Sequence, residues 1–421
     1  MQKNKSCIIL AAGDGKRMKS HKPKVLMEVA FSPMLDWVLD SVIEAGINNI
    51  AVIIGNNAEL LEKHLQKKYT FVKTFLQSER KGTGHAVMQA ETFIEAAKGD
   101  VLVLCGDAPF MDSDTINKAY KLHDSRNNSA TVITAEIDSP YGYGRIVRDG
   151  DRLSIVEEKD CSDSQRAITE VNSGAYWFNA DTLLETLPKL TCENKNGEYY
   201  LTDVVGAGGG SGAYKTDNTR IILGANDRRG LRELNSIAFE MIIDKHSDNG
   251  VDVIGECYIA KDAVIGMDTT ILPNTVIRER VVVGEGCVLG PFLQLRPDTA
   301  LADGVKIGDF VEVKNSNIGE KTSIAHLTYI GDSDVGRGVN FGCGCVTANY
   351  DGINKFRTVI GDNAFIGCNT NLIAPVEIGE NAMTAAGSTI SKDVPAGSLA
   401  IERGRVVVKE DYVKNRLRGK K

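Results

Sequence analysis

Arg296 and Lys314 lie eighteen residues apart in a stretch where an apolar residue returns at nearly every sixth position. Eighteen is three hexapeptides, so both cations project from one face, one turn apart, and repel each other unless an anion joins them. A sugar phosphate is the obvious anion; a solvated ladder of charge is the plainer alternative. His326, the only histidine after His246, follows on the next turn. A neutral imidazole takes a proton from an attacking amine near neutral pH, which acyl transfer to an amino sugar requires. One histidine cannot build a three-histidine metal centre within the chain. A lone histidine is more often structural, so its surroundings carry the case. Asn340 and the loop Asn349-Tyr350-Asp351-Gly352-Ile353-Asn354-Lys355 supply them, and that loop is the one long break in a regular repeat. Irregular excursions from a solenoid are where ligands tend to bind.

A second set of residues stands near the start of the chain. Leu10-Ala11-Ala12-Gly13-Asp14-Gly15-Lys16-Arg17 follows an aliphatic run, and its small residues let backbone N–H groups approach a phosphate or a base. It is not a dinucleotide fingerprint, because the third glycine is missing. Arg17 and Lys24 are cations of the kind a departing pyrophosphate needs nearby, although a basic run such as Lys16 to Lys24 is ordinarily a solvated face. Gly106-Asp107 closes the apolar run Val101 to Leu104. A carboxylate at the carboxyl end of a strand suits Mg²⁺, which takes one or two protein oxygens and completes its shell with water and phosphate. A lone aspartate there is as often a helix cap.

Positioning these residues takes two architectures. Cys7 to Leu10, Ile50 to Ile54, Val101 to Leu104 and Ala130 to Ile137 read as strands, separated by helical stretches at Met34 to Ala45, Ala58 to Lys68, Gly84 to Ala97 and Ser113 to Ser125. This alternation predicts a Rossmann-like α/β domain with helices on both faces of the sheet. Asp227 to Ser247 reads as one amphipathic helix joining it to the rest. From Ile259 the anchors run Ile265, Ile271, Ile277, Val283, Leu289, Leu295, Leu301, Ile307, Val313, then Ile318 to Phe341, and again Ile360 to Ile390. Such a hexapeptide period marks a parallel β-helix, three short strands to a turn. The expected boundaries are 1–228, a linker helix at 229–249, and 250–421.

Composition agrees. At 421 residues the chain is too long for one core, 42% apolar residues are ordinary for a soluble protein, and a net charge of −7 argues against a nucleic-acid binder. No run is long enough to span a membrane, and the N-terminal apolar stretch reads as a strand rather than a signal peptide. Nine scattered cysteines without a Cys-x-x-Cys pair fit a reducing cytoplasm. The basic tail Lys409 to Lys421 supports no function by itself, and Gly206 to Gly212, with five glycines, reads as a surface loop.

Leu10 to Lys24 resembles the nucleotide-binding loop of sugar-nucleotide pyrophosphorylases, and Gln77 with Gly82-Thr83-Gly84-His85-Ala86 is similar to the stretch that reads uracil in their uridyl branch. Tyr143-Gly144-Arg145, Ile155 to Lys159 and Glu170-Val171-Asn172-Ser173-Gly174 are similar to the sugar-binding segments, and Gly224 to Arg228 to the motif that supplies a second metal ligand. Leu295-Arg296-Pro297, Phe310 to Lys314, His326-Leu327-Thr328-Tyr329, Asn349-Tyr350-Asp351-Gly352 and Ala374-Pro375-Val376 look like an acetyltransferase half. In order and over nearly the whole chain, both halves resemble the bacterial family of bifunctional N-acetylglucosamine-1-phosphate uridyltransferases and glucosamine-1-phosphate N-acetyltransferases. That resemblance implies a nucleotidyltransferase domain with a mixed sheet, a left-handed β-helix and a homotrimer. It also implies UTP and acetyl-CoA as co-substrates, Mg²⁺, and a product that feeds peptidoglycan and lipopolysaccharide precursors. It assigns Leu10, Ala11, Ala12, Gly13, Lys24, Gln77, Gly82, Thr83, Gly144, Glu157, Asn172 and Asn226 to the nucleotide and sugar, with Asp107 and Asn226 on the metal. His326 becomes the general base; Arg296, Glu312, Lys314, Tyr329, Asn340 and Lys355 surround glucosamine 1-phosphate; Cys343, Asn349, Tyr350, Cys368, Ala386 and Arg403 contact acetyl-CoA.

The chain departs from the family at Phe31-Ser32, Cys105 and Cys368, lacks about two turns of repeat between Val283 and Leu289, and carries its glycine run where a short helix is expected. Loss of whole turns keeps the phase of everything after it. Two rivals remain at this point: a monofunctional sugar-1-phosphate nucleotidyltransferase whose β-helix serves only assembly, and a non-catalytic scaffold. His326 with its loop argues against the first, and retention of Lys24, Asp107 and Asn226 against the second.

Overall fold

In the computed structural model, residues 3–418 are described except 14, 56, 57, 151 and 208, so Asp14 of the first loop, Gly208 of the glycine run and the tail residues 419–421 lie outside the described residues. The chain divides into two units, Met1–Ala238 and Phe239–Lys421.

Strand-forming runs too apolar for a solvated face build the sheet of the first unit. Its order is Gly212–Thr216, Ala130–Glu136, Glu170–Asn179, Gly99–Cys105, Asn4–Leu10, Asn49–Ile54, Lys73–Leu76. The last four are parallel, while Glu170–Asn179 runs against both its neighbours, so the sheet is mixed. Cys7 and Ile9 pack into one core and Ile8 into another on the opposite face, as alternation along a doubly covered strand demands. The helix expected over Gly84 to Ala97 is two helices, Thr83–Met88 and Glu91–Ala97. The Gln89 side chain donates to the His85 carbonyl at 3.0 Å, and the Gln89 N–H bonds Ala86 instead, so the backbone ladder breaks there. The glycine run is shorter as a loop than expected, because helix Thr202–Ala207 takes its first two residues and strand Gly212–Thr216 its last.

The second unit is a left-handed parallel β-helix of three sheets. Every hexapeptide anchor from Ile259 to Ile390 is buried. Early coils pair residues eighteen apart, as Ile259 with Ile277; middle coils pair at seventeen, as Ser323 with Asn340; the Asn349 loop widens this to twenty-five, as Asn340 with Phe365. Helix Arg228–Asp248 runs through the division at residue 238.

Candidate active sites

In the first unit the chain leaves strand Asn4–Leu10 to Asn49–Ile54 on one side and later returns to Gly99–Cys105 on the other. That reversal leaves a crevice at the strands' carboxyl ends, and a cavity of about 480 Å³ occupies it. Leu10, Ala11, Ala12, Gly13, Arg17, Lys24, Gln77, Gly82, Thr83, Asp107 and Asn226 all line it. Lys24 is 11% exposed and pairs with Asp107, while its Nζ donates to Asn226 Oδ1 at 3.0 Å. Two oxygens from distant parts of the chain thus converge on one cation. Asn226 stands there because Asp227 caps the following helix, accepting from the N–H groups of Arg229 and Gly230 at 3.0 and 2.9 Å. The Gly230 bond foremost holds the Asp227 carboxyl below the usual range. Gly15 has φ +56°, and a Cβ on it would lie 2.7 Å from Lys24 Cβ, so the turn needs glycine for Lys24 to pack.

Gln77 is buried and donates from Nε2 to the Gly82 carbonyl at 3.1 Å. Thr83 Oγ1 accepts from Leu201 N–H at 3.1 Å and Gly84 N–H bonds Tyr199 at 2.8 Å. The turn is therefore held from both sides, which presents the Gln77 carbonyl and the turn backbone as a rigid edge of polar groups. Gly144, Glu157 and Asn172 form a separate group, with Asn172 N–H on the Gly144 carbonyl at 2.9 Å. Burial, then the charges of Asp160 and Asp203, push the Glu157 carboxyl up. These three do not line the cavity, but Cys105 does, and its Sγ donates to the Gly174 carbonyl at 3.6 Å. Burial, then Asp107, pushes the Cys105 thiol up to about 12, so it stays protonated. Arg80, another lining residue, donates from Nε to the Ala12 carbonyl at 3.1 Å. Sequence reading missed it; the signal was a cation between Gln77 and Gly82.

In the β-helix, His326 ends strand Ser323–His326 in register with Asp309 at the end of Lys306–Asp309. Its Nδ1 lies 2.7 Å from Asp309 Oδ1, with the side chains 59% and 39% exposed. The His326 bond foremost holds the Asp309 carboxyl below the usual range. Asp309 also went unread in the sequence, since it precedes His326 by seventeen residues, a spacing that means one turn only once the coil length is known.

The expected basic pair is differently composed. Arg296 is in step with Lys314, but its NH1 donates to Glu312 Oε1 at 2.7 Å. The close cationic neighbour of Lys314 is Lys355. Side-chain contact with Lys355 foremost, then burial, then the Lys355 and Arg296 charges push the Lys314 ammonium below its usual range. The loop delivers Lys355 because both its ends are tied down. Asn349, buried, gives its amide to Asp332, and Arg357 makes two bonds to Asp334 at 2.8 and 2.6 Å. Asp351 caps the turn through Ile353 and Asn354 N–H groups at 2.8 and 2.6 Å. Tyr329 folds over Gly331, where a Cβ would collide with its hydroxyl, and Gly331 is the register partner of Lys314. The phenol is thereby set on the strand next to that of Lys314. Asn340 is exposed on the coil after Ser323.

Cys343, Cys368 and Ala386 follow one another on consecutive coils, through Asn369 N–H to the Cys343 carbonyl and Gly387 N–H to the Cys368 carbonyl, both 2.8 Å. Arg403 NH1 donates to the Ala386 carbonyl at 3.0 Å. Tyr350 is exposed with its hydroxyl on the Gly352 carbonyl at 2.6 Å. Of the residues expected at acetyl-CoA, Asn349 is the buried one, its side-chain amide bonded to Asp332.

Residues 6–217 match the Nucleotidyl transferase family model, and 262–296 with 357–392 match the Bacterial transferase hexapeptide (six repeats) model. The chain is 44% identical over 447 residues to a bifunctional protein GlmU of Acetivibrio thermocellus, covering 96% of each. It is 43% identical over 450 residues to that of Clostridium acetobutylicum, covering 97% of this chain and 98% of the relative. With the protein of Streptococcus agalactiae it shares 43% over 446 residues and 96% of each. These alignments are longer than the 421 residues of the chain, so the relatives contain residues that it lacks. A nucleotidyltransferase half and a hexapeptide half in this order, related over their full length to such proteins, place the chain in the bifunctional GlmU family.

Proposed function

We infer that the two sites perform successive steps of UDP-N-acetylglucosamine synthesis, an early stage of peptidoglycan assembly, with acetyl-CoA, UTP and amino-sugar phosphates as substrates. What carries the reading is the occurrence, in one chain, of the Lys24, Asp107 and Asn226 cluster in a switch-point cavity and, on the β-helix, of His326 bonded to Asp309 together with the paired Lys314 and Lys355.

In the β-helix, Lys314, Lys355 and Arg296 hold the phosphate of glucosamine 1-phosphate, and Tyr329, Glu312 and Asn340 orient the sugar. His326 Nε2 takes the proton as the amine attacks the thioester carbonyl; the C–S bond breaks and coenzyme A leaves as a thiol. Cys343, Cys368, Ala386, Tyr350, Asn349 and Arg403 form the coenzyme side. In the nucleotide cavity, the phosphate oxygen of N-acetylglucosamine 1-phosphate attacks the α-phosphorus of UTP and pyrophosphate leaves. Lys24 and Arg17 neutralise the leaving group. Gln77, Gly82 and Thr83 read uracil, and Gly144, Glu157 and Asn172 take the sugar.

Asp107 and Asn226 suit Mg²⁺, being hard oxygens that already converge on a cation. Among the described residues no group of three or more His, Cys, Asp or Glu gathers for a metal, in keeping with an ion held mainly by water and phosphate. Held there by Asp107 and Asn226, it would supply positive charge to offset the negative charge that develops on the phosphates.

We assign the uridyl step to 1–228, a linker to 229–249 and the acetyl step to 250–421, in a cytoplasmic homotrimer. Nine free cysteines support the reducing compartment, and no described helix is long and apolar enough to cross a membrane. Exposed Phe292, Phe310 and Leu327, on successive coils, support association. A coupled assay resolving the half-reactions tests the whole: Asp107→Ala should lose only uridyl transfer and His326→Ala only acetyl transfer, and joint loss in either refutes two separate sites.

A further inference from the structure

We propose that Asp309 is a positioning residue for acetyl transfer, holding the His326 imidazole in the tautomer whose Nε2 is free to accept the amine proton. This rests on His326 being the base. Neutral imidazole carries its proton on either nitrogen, and only the form protonated at Nδ1 leaves Nε2 basic. At 59% exposure, packing alone does not choose between them.

The coils make the choice. Asp309 and His326 stand in register on adjacent parallel strands, roughly 4.8 Å apart. From there a side chain as short as aspartate meets Nδ1, the ring nitrogen nearer the backbone, and does so at 2.7 Å. Nε2 is left outermost. A carboxylate can only accept, so Nδ1 must donate. The same carboxylate faces the imidazolium once the proton has moved and stabilises it, as an orienting carboxylate does beside a catalytic histidine. The backbone is pinned to match: Leu327 N–H donates to the Asp309 carbonyl at 3.0 Å, and Thr328 Oγ1 to the His326 carbonyl at 2.7 Å. Cys343 occupies the equivalent place on the following coil, and Glu312 and Tyr329 stand in register on the adjoining sheet. Among the described residues Asp309 is the titratable group bonded to the ring.

The test uses the full chain. Asp309→Ala, Asp309→Asn and His326→Ala are compared for kcat and KM of acetyl transfer, with uridyl turnover as the check on folding and ¹⁵N NMR of labelled histidine as the tautomer readout. Asp309→Ala should lower acetyl kcat by roughly ten- to a hundredfold, leave both KM values within about twofold, and shift His326 away from the Nδ1-protonated form. Asp309→Asn, which keeps an acceptor oxygen, should recover part of both. If the alanine variant does not fold, Asp309→Leu, similar in size and without an acceptor, decides by the same readouts, a wild-type tautomer with wild-type kcat overturning the proposal. Wild-type kcat or an unchanged tautomer in Asp309→Ala, with His326→Ala inactive, overturns the proposal and leaves the base in place. Full acetyl transfer by His326→Ala removes the base and the proposal together.

Discussion

Lys24 neutralises Asp107 and holds Asn226, so its loss should remove a counter-charge from the leaving pyrophosphate and from the metal ligands at once. Lys24→Ala should lower uridyl kcat by about a hundredfold or more with acetyl transfer unchanged; equal turnover of wild type and variant in the uridyl assay would return Lys24 to a solvated face. For His326→Ala, acetyl turnover per folded molecule should fall about a hundredfold, with substrate binding retained by calorimetry. Asp332 gives a pH prediction. Burial raises its carboxyl pKa, but bonds from Asn315 and Asn349 and the charges of Lys314 and Lys355 leave it below the usual range. A depressed carboxylate contributes stability that is complete above its unfolded pKa, about 3.9, and is lost as pH falls through the folded value. The melting temperature of the wild type should therefore fall as pH drops below about 4, and Asp332→Asn should flatten part of that fall in a melting series.

The hexapeptide strands were legible because a fixed period of burial leaves a fixed period of aliphatic residues, and every anchor lies inside. The break between Thr83–Met88 and Glu91–Ala97 was not, since a glutamine competing for a backbone carbonyl has the same apolar spacing as a continuous helix. Among loops, Asn349 to Lys355 announced itself by interrupting the repeat, yet its fastening did not. Arg357 on Asp334 fixes the exit of the loop and thus where Lys355 stands. Arg357→Ala should loosen Lys355 and raise KM for glucosamine 1-phosphate by about tenfold with kcat less affected; initial-rate kinetics check this, and unchanged KM would mean the loop holds without it.

At the scale of the molecule, the turn positions of Phe292, Phe310 and Leu327 have φ of 54°, 55° and 46°. Left-handed backbone disfavours such side chains, and the two phenyl rings stack at 5.3 Å while exposed. Three large apolar groups exposed on left-handed turns are what the proposed trimer would cover with a neighbouring copy. Light scattering should give a trimer, and Phe310→Asp should shift it toward monomer with loss of acetyl transfer and retention of uridyl transfer. A wild-type monomer with full acetyl activity would refute the proposed trimer.

Periodicity and local spacing determined, by themselves, the two architectures, the small-residue loop with Arg17 and Lys24, Asp107 at a strand end, and His326 after Arg296 and Lys314, while Asn226 entered only through the family resemblance. Each of those signals is local or repeats at constant spacing, so it survives in one dimension. Asp309 beside His326, Arg80 on the Ala12 carbonyl, Glu312 on Arg296, and Lys355 rather than Arg296 against Lys314 were decided by the tertiary structure alone. These contacts depend on coil lengths of seventeen, eighteen or twenty-five residues and on which of several nearby charges a side chain can reach, and a linear sequence specifies neither until the chain has closed its turns.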